Sequence, residues 1–260
     1  IQMPFCSALN VDKVAIRTND FQLGFRLMKS LKNRKIPFIL LDADKDPVPN
    51  GLWLGTESEV LQSIGIGKGI GVSIETIDLC IERVQQILRG LDDAVFLTFG
   101  VDPGPRPGLA WLADGVLIGS AQIEKVDDTV NHIRGIASVI QHDRLRIKIG
   151  NGSPVVRNRL VNLCIAQNYE VIIVNEKRTT RGPRVRSHET AAARIAMLKG
   201  RKTTEKLPIE VTEGEIREWQ RRSRKFSNGR FTISGELAKA VAVGRFTLDE
   251  AILIQERRTE

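Results

Sequence analysis

The chain has 260 residues, a formal net charge of +8 and 42% hydrophobic residues. This content supports folded cores and argues against disorder, and the length suffices for two domains. No apolar run reaches the roughly 20 residues that span a bilayer, so we expect no membrane partner. Cys6, Cys80 and Cys164 are isolated. Isolated cysteines argue against a disulfide framework and a zinc ribbon. Because no secretory signal is visible, we expect a cytoplasmic protein.

The positive charge is concentrated after the first third of the chain. Residues 1–95 hold 11 Lys/Arg and 12 Asp/Glu, whereas residues 96–260 hold 28 and 19. The stretch 177–230 alone has 16 basic and 6 acidic residues. Such asymmetry favours a polyanionic partner, above all nucleic acid. The alternative is a solvated basic surface that binds nothing.

Residues 1–93 are predicted to form a small α/β domain. Strand-like runs at 13–18 and 36–42 flank a segment with helical apolar spacing, which indicates a βαβ unit. The helical stripe consists of Phe21, Phe25, Leu27, Met28 and Leu31.

A glycine-rich segment, 65–71, precedes a second predicted helix at about 74–88. The segment matches neither the GxxxxGK[ST] nor the GxGxxG phosphate-binding pattern, so we predict a tight turn. Asp42, Asp44 and Asp46 alternate after the second strand, where they form either a weak cation site or a solvated loop.

Residues 94–200 are predicted to form a mixed five-stranded sheet flanked by helices, in the order βββαβαβα. The strands are expected at 97–102, 109–113, 116–124, 145–150 and 170–176, and the helices at about 128–141, 155–166 and 190–198.

Residues 201–260 are predicted to be a basic helical tail. Thr212 with Glu215, and Thr247 with Glu250, have the spacing of a capping box, which marks two helix starts. The helices are expected at 212–226, 235–243 and 248–257. The last two form either a helical hairpin packed on the core or a helix-turn-helix.

Three carboxylates fall at the ends of predicted core elements. Asp102 ends the first strand of the second domain, Glu176 ends its last strand, and Glu189 opens the following helix. The first and fourth strands of a mixed sheet can be neighbours, so these acids could converge, and clustered carboxylates require a cation between them. Two Mg²⁺ or Mn²⁺ ions about 3.5–4 Å apart would clamp a phosphodiester. The alternative for Asp102 is a plain turn-initiating residue.

The helix that Glu189 opens and the loop before it supply further features. Residues 191–193 are all alanine, so the helix can lie close to the sheet. The loop 177–187 is strongly basic, and Arg and Thr side chains suit phosphate oxygens. The alternative is that these arginines form ion pairs with Glu176 and Glu189. The predicted nucleic-acid contacts are Arg106, Lys177, Arg178, Arg181, Arg184 and Arg186.

Three segments within about 95–200 resemble RuvC/YqgF-type nucleases of the ribonuclease H-like fold. Residues 100–104, Gly-Val-Asp-Pro-Gly, resemble the first-strand motif of that family. Residues 175–180, Asn-Glu-Lys-Arg-Thr-Thr, look like its Asp-Glu-Arg-x-Thr-Thr motif, with Asn175 in place of an acid. Residues 187–193, Ser-His-Glu-Thr-Ala-Ala-Ala, resemble its closing helix, where the family has Asp before an Ala pair.

The resemblance implies a ribonuclease H-like sheet and a divalent metal held by Asp102, Glu176 and Glu189. It also implies that His188 assists catalysis; the alternative is a solvated first-turn histidine. We therefore expect a metal-dependent nuclease that cleaves branched DNA, such as a Holliday junction, or structured RNA, and that forms a homodimer.

Two other classes compete with the nuclease. The first is a nucleic-acid-binding, RNA-processing module of the same fold with weak or no catalysis. The second is a phosphotransferase of the actin/hexokinase type, which shares the sheet. That type needs a second phosphate loop and an adenosine motif, and the sequence shows neither.

Overall fold

The computed structural model describes residues 13–175 and 188–259. The chain divides into two compact units, Ile1–Asp92 and Asp93–Glu260, and each has its own sheet. Among the described residues, no helix has both the length and the apolar character needed to cross a membrane.

The first unit is built on a parallel four-stranded sheet with the order β2-β1-β3-β4. Its elements are β1 (Val14–Arg17), α1 (Phe21–Asn33), β2 (Phe38–Leu41), β3 (Leu52–Gly55), α2 (Glu57–Gln62), β4 (Lys68–Gly71) and α3 (Ile77–Leu88). Buried aliphatic side chains of the sheet, α1 and α3 form one core. The predicted βαβ unit is confirmed, because β1 and β2 pair in parallel on either side of α1 in the chain.

The glycine-rich segment is partly a strand, so the prediction of a tight turn over 65–71 is wrong for its second half. Gly65 and Gly67 have positive φ and do turn the chain, but Lys68–Gly71 forms β4. The indole of Trp53 lies over Gly69, where a Cβ would stand 2.9 Å from the ring. Only glycine leaves room for the Trp53 indole at this position. The spacing of residues along the chain does not indicate this reason for a glycine.

Helix α1 forms as predicted, but part of its predicted apolar stripe does not face the core. Asp20 caps the helix by accepting a hydrogen bond from the Leu23 N–H at 2.9 Å. Leu23 and Leu27 are fully buried, whereas Phe21 is 93% exposed and Phe25 is 64% exposed. The leucines four residues apart face the sheet, and the two phenylalanines flank them on the outside.

The second unit contains a mixed six-stranded sheet with the order β10-β9-β8-β5-β6-β7. Its α/β elements are β5 (Ala94–Asp102), β6 (Gly108–Ala113), β7 (Val116–Gln122), α4 (Asp128–Val139), β8 (His142–Gly150), α5 (Pro154–Ala166), β9 (Glu170–Val174), α6 (His188–Met197) and β10 (Gly200–Thr203). Strands β5 to β7 form an antiparallel meander, and β8 and β9 run parallel to β5.

The prediction of five strands is corrected to six by β10, which pairs antiparallel with β9. Its sequence, Gly-Arg-Lys-Thr, has no apolar alternation, because an exposed edge strand needs little side-chain burial. The predicted adjacency of the first and fourth strands is confirmed, since β5 and β8 are parallel neighbours with Val101 opposite Ile149. The carboxyl ends of β5, β8 and β9 therefore meet at one edge of the sheet.

The last three helices form a bundle with its own apolar core. They are α7 (Glu213–Phe226), α8 (Gly235–Ala242) and α9 (Leu248–Thr259). Both predicted capping boxes are present, at Thr212–Glu215 and at Thr247–Glu250. The core side chains include Trp219, Leu237, Val241 and Ile252. The predicted hairpin of α8 and α9 thus has α7 as a third helix.

The bundle also contacts the α/β part of its unit. Arg159 on α5 donates a hydrogen bond to the Val243 carbonyl at 2.6 Å. Lys125 and Glu250 form an ion pair at 3.0 Å. A Cβ on Gly244 would stand 2.4 Å from Val126. These contacts dock the turn between α8 and α9, together with the start of α9, on the sheet-bearing part.

Candidate active site

Asp102 is the last residue of β5, the strand that lies between β8 and β6 in the sheet. Buried residues precede it along the strand, and the turn 103–107 follows at once. Gly108, the first residue of β6, lies directly opposite it. The Asp102 side chain is 18% exposed. A rigid, largely buried strand thus holds one partly accessible carboxylate at the edge of the sheet.

Helix α6 lies with its backbone directly against β5 and β6. A Cβ on Gly100 would stand 2.0 Å from the Ala192 carbonyl oxygen, and a Cβ on Gly108 would stand 2.1 Å from the His188 carbonyl oxygen. Ala192 and Ala196 pack on the apolar side chains of β6. The prediction that this alanine-rich helix lies close to the sheet is confirmed, and glycine on both strands makes that approach sterically possible.

Lys148 on β8 holds the other end of α6. Its Nζ donates hydrogen bonds to the carbonyl oxygens of Ala196 and Leu198, each at 2.7 Å. Burial, with a contribution from the Arg146 charge, lowers the pKa of Lys148. Sequence reasoning missed this residue; its signal was a basic side chain between the buried Ile147 and Ile149 in a central strand.

The start of α6 brings His188 to Asp102. The distance between His188 Nδ1 and Asp102 Oδ2 is 2.7 Å. Since an ionised carboxylate can only accept, a neutral imidazole in this contact would donate from Nδ1 and keep Nε2 as its acceptor nitrogen. The His188 side chain is 54% exposed. The predicted assisting histidine therefore contacts one of the predicted metal ligands.

The remaining predicted site residues divide into three groups. Glu189 is half-buried in the first turn of α6, next to His188, and the structure gives no contact between Glu189 and Asp102. Arg106, a predicted phosphate contact, forms an ion pair with Glu124 at 3.2 Å. The others lie outside the described residues: Glu176, Lys177, Arg178, Arg181, Arg184 and Arg186.

The described residues do not form a complete metal site. Within 13–175 and 188–259, no group of three or more His, Cys, Asp or Glu side chains is arranged to hold a metal ion. Asp102, His188 and Glu189 therefore do not make such a site by themselves. The predicted ligand set still requires Glu176.

The loop after β8 lies beside the turn that follows Asp102. A Cβ on Gly152 would stand 3.6 Å from Pro103, and the Asn151 side chain accepts a hydrogen bond from the Arg157 guanidinium. Arg157 lies in the first turns of α5, which begins at this same edge. Sequence reasoning did not select Arg157, because nothing along the chain indicates that α5 starts next to Asp102.

Comparison with known proteins identifies one part of the chain. A family described as "Three helical bundle domain" matches residues 212–258, which are helices α7 to α9. No curated protein and no solved structure matches the chain. The family match agrees with the bundle seen in the structure and does not extend to Asp102 or His188.

Proposed function

We propose that this protein is a metal-dependent nuclease of the ribonuclease H-like type that acts on structured nucleic acid. The observation that carries the proposal is the Asp102–His188 pair at the carboxyl end of β5, a central strand. Strands β5 and β8, the first and fourth strands of the second unit, are neighbours in its sheet. This arrangement is compatible with the ribonuclease H-like sheet that the motif resemblance implies. The +9 difference between basic and acidic residues in 96–260 supports a polyanionic substrate.

The chemistry of the donors suits a hard divalent cation, although the described set is incomplete. Asp102 and Glu189 offer carboxylate oxygens, which Mg²⁺ prefers. Glu176 is the third proposed ligand. A bound divalent ion would offset the charge of a phosphodiester and lower the pKa of a coordinated water.

The chain's own residues would position the substrate and move a proton. Asp102 orients the imidazole of His188 through Nδ1, which leaves Nε2 to accept a proton. Arg157 holds Asn151, in the loop whose Gly152 lies beside the turn that follows Asp102.

The decisive variant is Asp102→Asn, assayed with Mg²⁺ on a panel of branched DNA and structured RNA. We expect cleavage to be lost while binding is retained or strengthened, since a charge that repels phosphate is removed. His188→Ala should lower the cleavage rate by about 10²–10⁴-fold. The matched control is Asp143→Asn, which changes an exposed carboxylate at the opposite end of β8. Cleavage by Asp102→Asn at the wild-type rate would refute the assignment.

A binding module without catalysis is the second candidate, and it is favoured by two departures from the resembled motifs, Asn175 in place of an acid and Glu189 in place of Asp. Both candidates predict binding that weakens with salt, by about 0.9 in log K per phosphate contact for each tenfold rise in salt. Binding without metal-dependent cleavage by the wild type would select the module. A flat salt response would refute both.

A further inference from the structure

The first unit carries an exposed apolar surface that its own core does not need. We call it the α1–β2 surface, and it consists of Phe21, Phe25 and Met28 of α1 with Leu40 of β2. These side chains line one groove of about 620 Å³. Phe21 is 93% exposed, Phe25 64% and Leu40 56%. The largest apolar patch of a monomer is often functional, so this surface is a candidate interaction site.

Strand β2, which contributes Leu40 to the groove, also has an open edge. Strand β2 is the first strand in the order β2-β1-β3-β4, so one of its sides has no neighbour among the described strands. The Pro37 carbonyl accepts a hydrogen bond from the Val14 N–H on β1 at 3.1 Å. Because backbone groups alternate in direction along a strand, Phe38 and Leu40 direct their N–H and C=O groups to the open side. Such an edge can pair with another strand.

Charges of opposite sign lie at the two ends of the surface. Asp20, Asp42 and Asp44 lie at the end where β1 and β2 finish and α1 begins, and all three are exposed. Lys45 pairs with Asp42 at 3.1 Å and offsets one of these charges, so this end remains net acidic. Lys29, Lys32 and Lys35 lie toward the other end, where α1 finishes and β2 begins, and they are exposed as well. A twofold axis through the middle of the surface would place the acidic end of one copy against the basic end of the other.

We propose that two copies of this chain associate through the α1–β2 surface. Their β2 strands pair antiparallel to form one continuous sheet, and their α1 helices pack antiparallel over it. The charge arrangement favours a second copy over a partner of uniform charge, because the surface is complementary to itself only in this orientation.

The two exposed rings supply about half of the area that the smallest specific dimer interface needs. A Phe side chain presents about 150–250 Å², so Phe21 and Phe25 together leave roughly 300 Å² exposed per copy. Two copies would bury roughly 600 Å² through these rings alone, about half of the ~1,200 Å² at which specific interfaces begin. Met28, Leu40 and the paired β2 backbones would supply the rest.

The first test measures the mass of the full-length protein in solution by light scattering over a concentration series. We expect twice the chain mass of 29.0 kDa. Phe25→Asp places an unpaired charge in the apolar seam and should weaken association at least ~100-fold. Phe226→Asp is the matched control, because Phe226 is similarly exposed, at 62%, but lies on α7. A monomeric wild type, or a Phe25→Asp protein that dimerises like the wild type, would overturn the proposal.

The second test uses charge reversal to establish the orientation. The Lys29→Glu/Lys32→Glu protein has two acidic ends, and the Asp42→Lys/Asp44→Lys protein has two basic ends. We expect each to dimerise more weakly than the wild type, and their mixture to form a mixed dimer, with far-UV circular dichroism confirming that both variants are folded. If two folded variants do not associate preferentially with each other, the antiparallel arrangement is wrong.

Discussion

Replacing Gly108 by alanine tests directly whether α6 lies on the sheet as described. The new Cβ would stand 2.1 Å from the His188 carbonyl oxygen, whereas ordinary van der Waals contact begins at 3.4 Å. Helix and strand must therefore separate by about 1.3 Å, an overpacking strain that costs about 1–3 kcal/mol. In a unit of this size the loss corresponds to a fall in melting temperature of roughly 2–12 °C.

The same displacement should disrupt the candidate site. It would lengthen the 2.7 Å contact between His188 and Asp102 to about 4 Å, which is beyond hydrogen-bond distance. A misplacement of about 1 Å can lower a rate about 100-fold, so cleavage should fall on that scale.

Gly104→Ala is the control for Gly108→Ala, because it changes a glycine in the turn that immediately precedes Gly108. There the nearest atom to a new Cβ is 3.9 Å away, and φ lies outside the left-handed region. Its stability should stay within about 0.5 kcal/mol of the wild type, and its activity should be unchanged. The test is to measure the melting temperature by calorimetry, and the cleavage rate, for the wild type, Gly108→Ala and Gly104→Ala. A Gly108→Ala protein that melts and cleaves like the wild type would refute the described packing of α6.

Two further predictions concern other parts of the second unit. Lys148→Met keeps the aliphatic stem but removes the donor to the Ala196 and Leu198 carbonyls, so urea unfolding should show a loss of about 1–3 kcal/mol. Hydrogen bonds from Arg221 and Arg222 lower the pKa of Glu218 to about 2. This stabilisation of α7 is fully present above the ordinary carboxyl pKa and is lost as the pH falls toward 2. Glu218→Gln should flatten the acid dependence of bundle unfolding, followed by circular dichroism; an unchanged acid profile would contradict that role.

Elements with strong periodicity could be predicted from the sequence, and those without it could not. Helices α1 and α7 and the strand that ends at Asp102 have apolar spacing or capping residues that act within a few positions of the chain. Strands β4 and β10 lack such a pattern. Each is a strand because a neighbour accepts its backbone hydrogen bonds, and that neighbour is known only once the sheet has formed.

The candidate site divides in the same way. The strand that ends at Asp102 before a Gly/Pro turn and the alanine-rich helix that begins near His188 are both local properties, so the sequence predicts them. The contact between His188 and Asp102, which are 86 residues apart, arises only in the folded chain. The outward position of Phe21 and Phe25 is likewise a result of the fold. The His188–Asp102 contact and the exposure of the phenylalanines both depend on which surfaces of distant elements meet. Helical spacing predicts an apolar stripe on a helix, but it does not predict which neighbouring element, if any, covers that stripe.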